Sequence, residues 1–337
     1  MPRHIATVNM NALKLCMHLP RLNLNPIGRQ RYTNCRHLLS QKRTRHFSSE
    51  PYHSHPEIEE ANIAMSQEEI EWQQRCQLAA CYRVSYMQGW HENIFNHITL
   101  KVHNSDSTPD GPHFFINEFG VGFDEMKASS ILKVNLDGDV VVDNNSSSTS
   151  TTTGRVFKPG FVIHSAIHGA RPDTHAVWHV HPLDTTAVCQ TKFGLLPISQ
   201  EASLAAKHGL SYHPFEGTAN SVDERGRLVD SLGPTNQILM LENHGPLIAS
   251  PTLHQAFAGM FFLTRACTFQ IKALSSVGGD LSKIHMPSQD LEEEMLARSK
   301  KFDEAPQKGV QHDSDKLMFD YAVRAAEQAF GKGDIYR

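Results

Sequence analysis

The stretch HAVWHVHPLD, residues 175–184, constrains the fold more than any other part of the chain. Its β-branched and aromatic residues favour an extended backbone, and Pro182 ends the run by removing a ladder donor. Side chains in a strand repeat direction every two residues, so His179 and His181 share one face and Val180 takes the other. Two imidazoles on one face at a strand end supply two points of a metal site, at a loop edge that a ligand can reach. His175 has the same parity but lies too far down the strand to join them.

A third ligand should come from a second strand end. The run MLENHGPL offers His244, which follows an apolar strand and precedes Gly245, a residue suited to a tight turn. Around these two sites the chain alternates helical and extended patterns. A helix is predicted over 67–86 with Ser66 as its N-cap, and strands over 94–103 and 113–120. Two β-prone runs flank Asp137-Gly138, and a helix follows at 160–169. A strand at 174–181, a helix from Asp184, a strand within 236–245 that ends in a turn and a long helix from Thr252 complete the pattern. Alternation without internal repeats predicts α/β layers around one sheet. The low-complexity run NNSSSTSTTTG at 144–154 reads as an exposed, mobile insert. After residue 275 the chain is more polar, with helices expected at 290–302 and 316–330.

Charge divides the chain. Residues 1–49 hold nine Lys or Arg and no Asp or Glu. Setting those nine aside leaves 23 basic against 36 acidic residues, a formal −13. So acidic a body argues against a nucleic-acid partner, since phosphate binding needs clustered Lys and Arg. The arginine-rich, acid-free leader reads as a mitochondrial transit peptide over 1–47, with RTRHFSSE placing cleavage after Phe47 and the matrix as destination. The other reading is a disordered basic tail on a cytoplasmic protein. Residues 48–66 form a polar linker, 67–275 the main domain and 276–337 a polar helical extension. No apolar run approaches the ~20 residues that span a bilayer, so no membrane partner is expected. The six cysteines contain no C-x-x-C pair, which suits free thiols in a reducing compartment.

Taken together, GFVIHSAIHGARPDTHAVWHVHP and ILMLENHGPLI resemble the class II aldolase and adducin N-terminal domain family. NHITLKV, FFINEFG and ASSILKVNLDGDVV stand upstream in the expected order, so the resemblance covers about residues 70–275. It implies a three-layer α/β/α fold with a central, largely antiparallel sheet, assembled as a homotetramer. It also implies a divalent metal, usually zinc (Zn2+), held by His179, His181 and His244. Such a metal can hold the hydroxyl and carbonyl oxygens of a hydroxy-ketone and stabilise the charge left when a carbon–carbon bond breaks.

The chain departs from the family's sugar-phosphate aldolases at one decisive place. Those enzymes carry Ser-Ser-Glu before the helix preceding the H-x-H strand, and the glutamate is their acid/base. That position here is Gly160, within FKPGFVIH, and INEFG replaces their phosphate loop. The local pattern is closer to the adducin branch. His164, one helical turn after Gly160, is the candidate catalytic replacement; its other reading is a histidine bonded within the helix–sheet core. Glu216 and Glu242 are further candidates whose alternative is a solvated or structural role. Asn96 matches the family's active-site asparagine and is a candidate substrate-binding residue; its other reading is a turn cap.

Two functions follow from the resemblance. One is a zinc-dependent aldehyde-lyase-type enzyme acting on a small hydroxy-carbonyl substrate that carries no terminal phosphate. The other is a catalytically inactive, adducin-like protein that binds actin or spectrin. Retention of all three histidines favours the enzyme. The tail ends GKGDIYR, without the lysine-rich run that closes adducins.

Overall fold

The computed structural model describes residues 65–108, 111–141, 154–217, 222–304 and 313–337. The predicted leader, nearly all of the linker and the 144–153 insert lie outside them. Helix α1 (Gln67–Met87) starts at Ser66, whose hydroxyl accepts from the Glu69 backbone while the Glu69 carboxylate accepts from the Ser66 N–H, a reciprocal capping box. Strands β1 (His97–Lys101), β2 (Phe114–Asn117) and β3 (Ile131–Val134) follow, then helix α2 (Lys158–Ala170) and strand β4 (Ala176–His179). Two short helices, α3 (Leu183–Cys189) and α4 (Gln200–Ala206), lead to β5 (Leu210–His213) and helix α5 (Val222–Leu232). The hairpin of β6 (Ile238–Leu241) and β7 (Gly245–Ser250) runs into the long helix α6 (Leu253–Ser276). Helices α7 (Gln289–Glu304), α8 (Ser314–Phe330) and α9 (Lys332–Ile335) close the chain.

The seven strands form one sheet in the order β3-β2-β1-β4-β7-β6-β5, antiparallel at every pair except β5–β6. The two-residue period sorts each strand between two cores. Ile98, Leu100, Trp178, Met240 and Ile248 face the first, against Leu78 and Tyr82 of α1, Phe257 of α6 and Phe319 of α8. Val177, Leu239, Leu241, Leu247 and Ala249 face the second, against Ile163 and Ile167 of α2 and Leu228 and Leu232 of α5. Burying each such large apolar side chain stabilises the fold by ~1.5–3 kcal/mol. The layers are therefore helix, sheet, helix, as the resemblance implies.

The 276–337 segment is not merely polar: Phe319, Ala322 and Ala326 of α8 are buried in the first core. Arg83 of α1, almost fully buried, donates to the Asp334 carboxylate at 2.8 Å and so ties α9 to the same layer. The cysteines among the described residues (Cys76, Cys81, Cys189 and Cys267) are free thiols. No helix among the described residues is long and apolar enough to cross a membrane.

Candidate metal centre

Strand β4 ends at His179, and the backbone N–H of His181 donates to the Trp90 carbonyl at 3.1 Å, which fixes the chain just beyond the strand. On the neighbouring hairpin, the turn between β6 and β7 places Asn243 in the left-handed region at φ 55° and holds the His244 N–H on the Leu241 carbonyl at 3.1 Å. A Cβ at Gly245 would stand 2.8 Å from Cδ2 of His181, so only glycine lets the turn close onto that ring. The result is one cluster. His179, His181 and His244 each present one nitrogen, all within 4.8 Å of one another, and no other such group of three occurs among the described residues.

The hydrogen bonds behind two of the rings settle the tautomers of His179 and His181. His179 Nδ1–H donates to the Pro246 carbonyl at 2.9 Å. His181 Nδ1–H donates to the carboxylate of Glu92. Both Nε2 atoms are therefore bare lone pairs when the rings are neutral, yet they lie 3.0 Å apart. His244 Nε2 is 3.3 Å from His179 Nε2. Ligands on a tetrahedral zinc ion with ~2.0–2.1 Å bonds sit ~3.3–3.4 Å from each other, so the donor set suits a small divalent cation. Burial holds His179 well below the usual histidine range, aided by the neighbouring imidazoles. Burial likewise pushes His244 down to about 4, with His181 adding to it. His179 and His244 are thereby kept in the neutral form that ligation of a metal needs.

The cluster lies in a cleft of about 320 Å³, walled by the aromatic rings of Phe95, Phe157 and Phe215. Gly160 and His97 line it as well. Register pairs His97 of β1 with His179 of β4, which puts the two rings side by side on one face with centroids 5.2 Å apart.

His164 does not line this cleft among the described residues. It is fully buried behind His97, with its Nε2 2.8 Å from His97 Nδ1 and its Nδ1 2.7 Å from the Thr99 hydroxyl. Asn96 is also fully buried and outside the cleft lining; its side-chain oxygen accepts from the backbone N–H of Glu92 and shapes the loop that delivers that carboxylate. Glu216 is engaged by Arg227 through bonds of 2.8 and 2.9 Å, and Glu242 is an exposed turn residue. Sequence reasoning missed Glu92 and His97. For His97 the sequence signal was the polar His97-Thr99-Lys101 alternation within NHITLKV; Glu92 had none.

Residues 76–271 match the profile of the Class II Aldolase and Adducin N-terminal domain family. A protein of Caulobacter vibrioides named for the class 2 aldolases is 42% identical over 212 residues, covering 63% of this chain and 76% of its own length. Alpha-adducin of Rattus norvegicus is 40% identical over 205 residues, 61% of this chain but 26% of the adducin. In structure, an aldolase II superfamily protein from Pseudomonas syringae aligns with a TM-score of 0.68 and 33% identity, over 82% of this chain and 100% of that one. With three histidines converging at the ends of central strands and a match across more than half of its length, this chain belongs to the class II aldolase and adducin N-terminal domain family.

Proposed function

We propose that this protein is a divalent-metal-dependent lyase acting on a small hydroxy-carbonyl compound that bears no phosphate. The convergence of three Nε2 atoms, two of them stripped of any proton by the Pro246 carbonyl and the Glu92 carboxylate, carries this reading. A metal bound there would polarise a carbonyl oxygen and stabilise the charge left by carbon–carbon cleavage. Glu92 orients His181, and Pro246 orients His179. Phe95, Phe157 and Phe215 give the cleft apolar walls that exclude water from a bound substrate. Among the described residues the lining holds no Lys or Arg, which favours a substrate without a phosphate. Zinc is the metal proposed, and a homotetramer the assembly. The leader over 1–47 is proposed to direct the chain to mitochondria.

Incubating the metal-loaded protein with paired phosphorylated and unphosphorylated hydroxy-ketones, with and without a chelator, tests this. Chelator-sensitive cleavage of an unphosphorylated member is expected. A preference for the phosphorylated member, or cleavage indifferent to the chelator, would overturn it. The second reading is actin or spectrin binding, favoured by the 40% identity to alpha-adducin. Co-sedimentation with filamentous actin, unaffected by removal of metal, would favour that reading over the enzyme.

A further inference from the structure

On α2, Gly160, His164 and His168 recur every four residues and form one stripe, which lies over the buried His97-Thr99 face of β1. A Cβ built on Gly160 would stand 1.8 Å from Nε2 of His97. The space beside Gly160 that any side chain there would need is thus taken by an imidazole arriving from β1.

The bonds behind that imidazole leave its tautomer no choice. The chain ends at the Thr174 carbonyl, which can only accept, so His168 Nδ1 carries the proton at 3.3 Å. His168 Nε2 is then an acceptor, and the Thr99 hydroxyl donates to it at 2.8 Å. The Thr99 oxygen in turn accepts from His164 Nδ1–H at 2.7 Å. His164 Nε2 is left as an acceptor, and His97 Nδ1–H donates to it at 2.8 Å. His168 and His164, both buried, hold one proton each, since burial keeps both below the usual histidine range. At the near end, His97 Nε2 is a lone pair. Among the described residues its ring makes no other hydrogen bond, and it lines the cleft.

We propose that His97 Nε2, fixed by this chain of bonds, is a hydrogen-bond acceptor that selects substrates donating a hydroxyl beside the carbonyl held at the three-histidine site. His164, Thr99 and His168 are positioning residues that lock this polarity and do not touch the substrate. The assignment rests on the proposed metal-dependent function and specifies what its substrate must offer.

The test uses the full metal-loaded chain and two hydroxamates that chelate metal alike, acetohydroxamate and glycolohydroxamate, the second bearing one extra hydroxyl. One neutral hydrogen bond predicts that glycolohydroxamate binds about five- to ten-fold more tightly. In His97→Phe the ratio should fall to about one while acetohydroxamate still binds. Thr99→Val, which removes the hydroxyl in the middle of the chain, should lower the ratio in the same way. Nitrogen NMR of 15N-histidine-labelled wild-type protein should find His97 protonated on Nδ1 and bare on Nε2, a readout that needs no variant. If both hydroxamates bind the wild type equally, or His97 carries its proton on Nε2, the assignment is overturned and the metal site stands. If neither binds, the metal-site reading fails and this inference falls with it.

Discussion

The Glu92 carboxylate accepts a hydrogen bond from Nδ1 of His181, although 89 residues separate them in the chain. The contact fixes which nitrogen of His181 is free, and a carboxylate behind a ligating imidazole also raises its basicity. Glu92→Gln keeps the shape but weakens the acceptor. Metal affinity, measured by chelator competition, should fall by roughly ten-fold, the low end of the ~10–100-fold range for such partners. The low end is expected because the Glu92 side chain is 59% exposed and screened by water.

Gly160→Ala tests the crowding over His97. The new methyl would stand 1.8 Å from His97 Nε2, so that buried ring, bonded to His164, must shift. Overpacking of this kind costs ~1–3 kcal/mol, readable from urea unfolding. Adding His97→Ala to the same protein should return part of that loss, because the second change empties the contested volume. The same clash means that restoring a carboxylate by Gly160→Glu alone would displace His97.

Acid should destabilise the fold through its buried histidines. His168 is pushed from 6.5 down to about 3, mainly by burial, with Lys101 and His175 adding to the effect. Between those values the unfolded chain binds a proton that the folded chain refuses. Its contribution is complete above pH 6.5 and is lost as pH falls toward 3, at about 1.4 kcal/mol per pH unit. His97 and His164 shift the same way and steepen the limb. Chelator-treated protein unfolded in urea at pH 7 and pH 5 should show this loss, and His168→Phe should make the slope shallower. Equal stability at the two pH values would contradict it.

The three-histidine cluster was legible in the sequence because its logic is local. Strand parity pairs His179 with His181, and a glycine turn marks His244. The same local reasoning selected His164 from its spacing after Gly160. What it could not supply was the antiparallel pairing of β1 with β4, which brings His97 opposite His179 and inserts its ring between His164 and the cleft. Glu92 was hidden for the same reason, since its loop reaches His181 only once those strands are neighbours. Strand β7 begins Gly245-Pro246, a pair that reads as a turn, and the short, partly exposed β5 has little apolar pattern. Both are held in place by the sheet rather than by their own propensity.

The leader is tested separately. N-terminal sequencing of the protein from isolated mitochondria should begin near Ser48, whereas an intact Met1 in the cytosolic fraction would contradict import.

Metal analysis of the purified full chain addresses the central claim most directly. Wild-type protein should carry one divalent ion per chain, with zinc expected. His179→Ala/His181→Ala should carry none while keeping its far-ultraviolet circular dichroism and a cooperative melt. A wild-type protein that takes up no divalent ion after incubation with zinc, or a double variant that binds it as well as the wild type, would contradict the account.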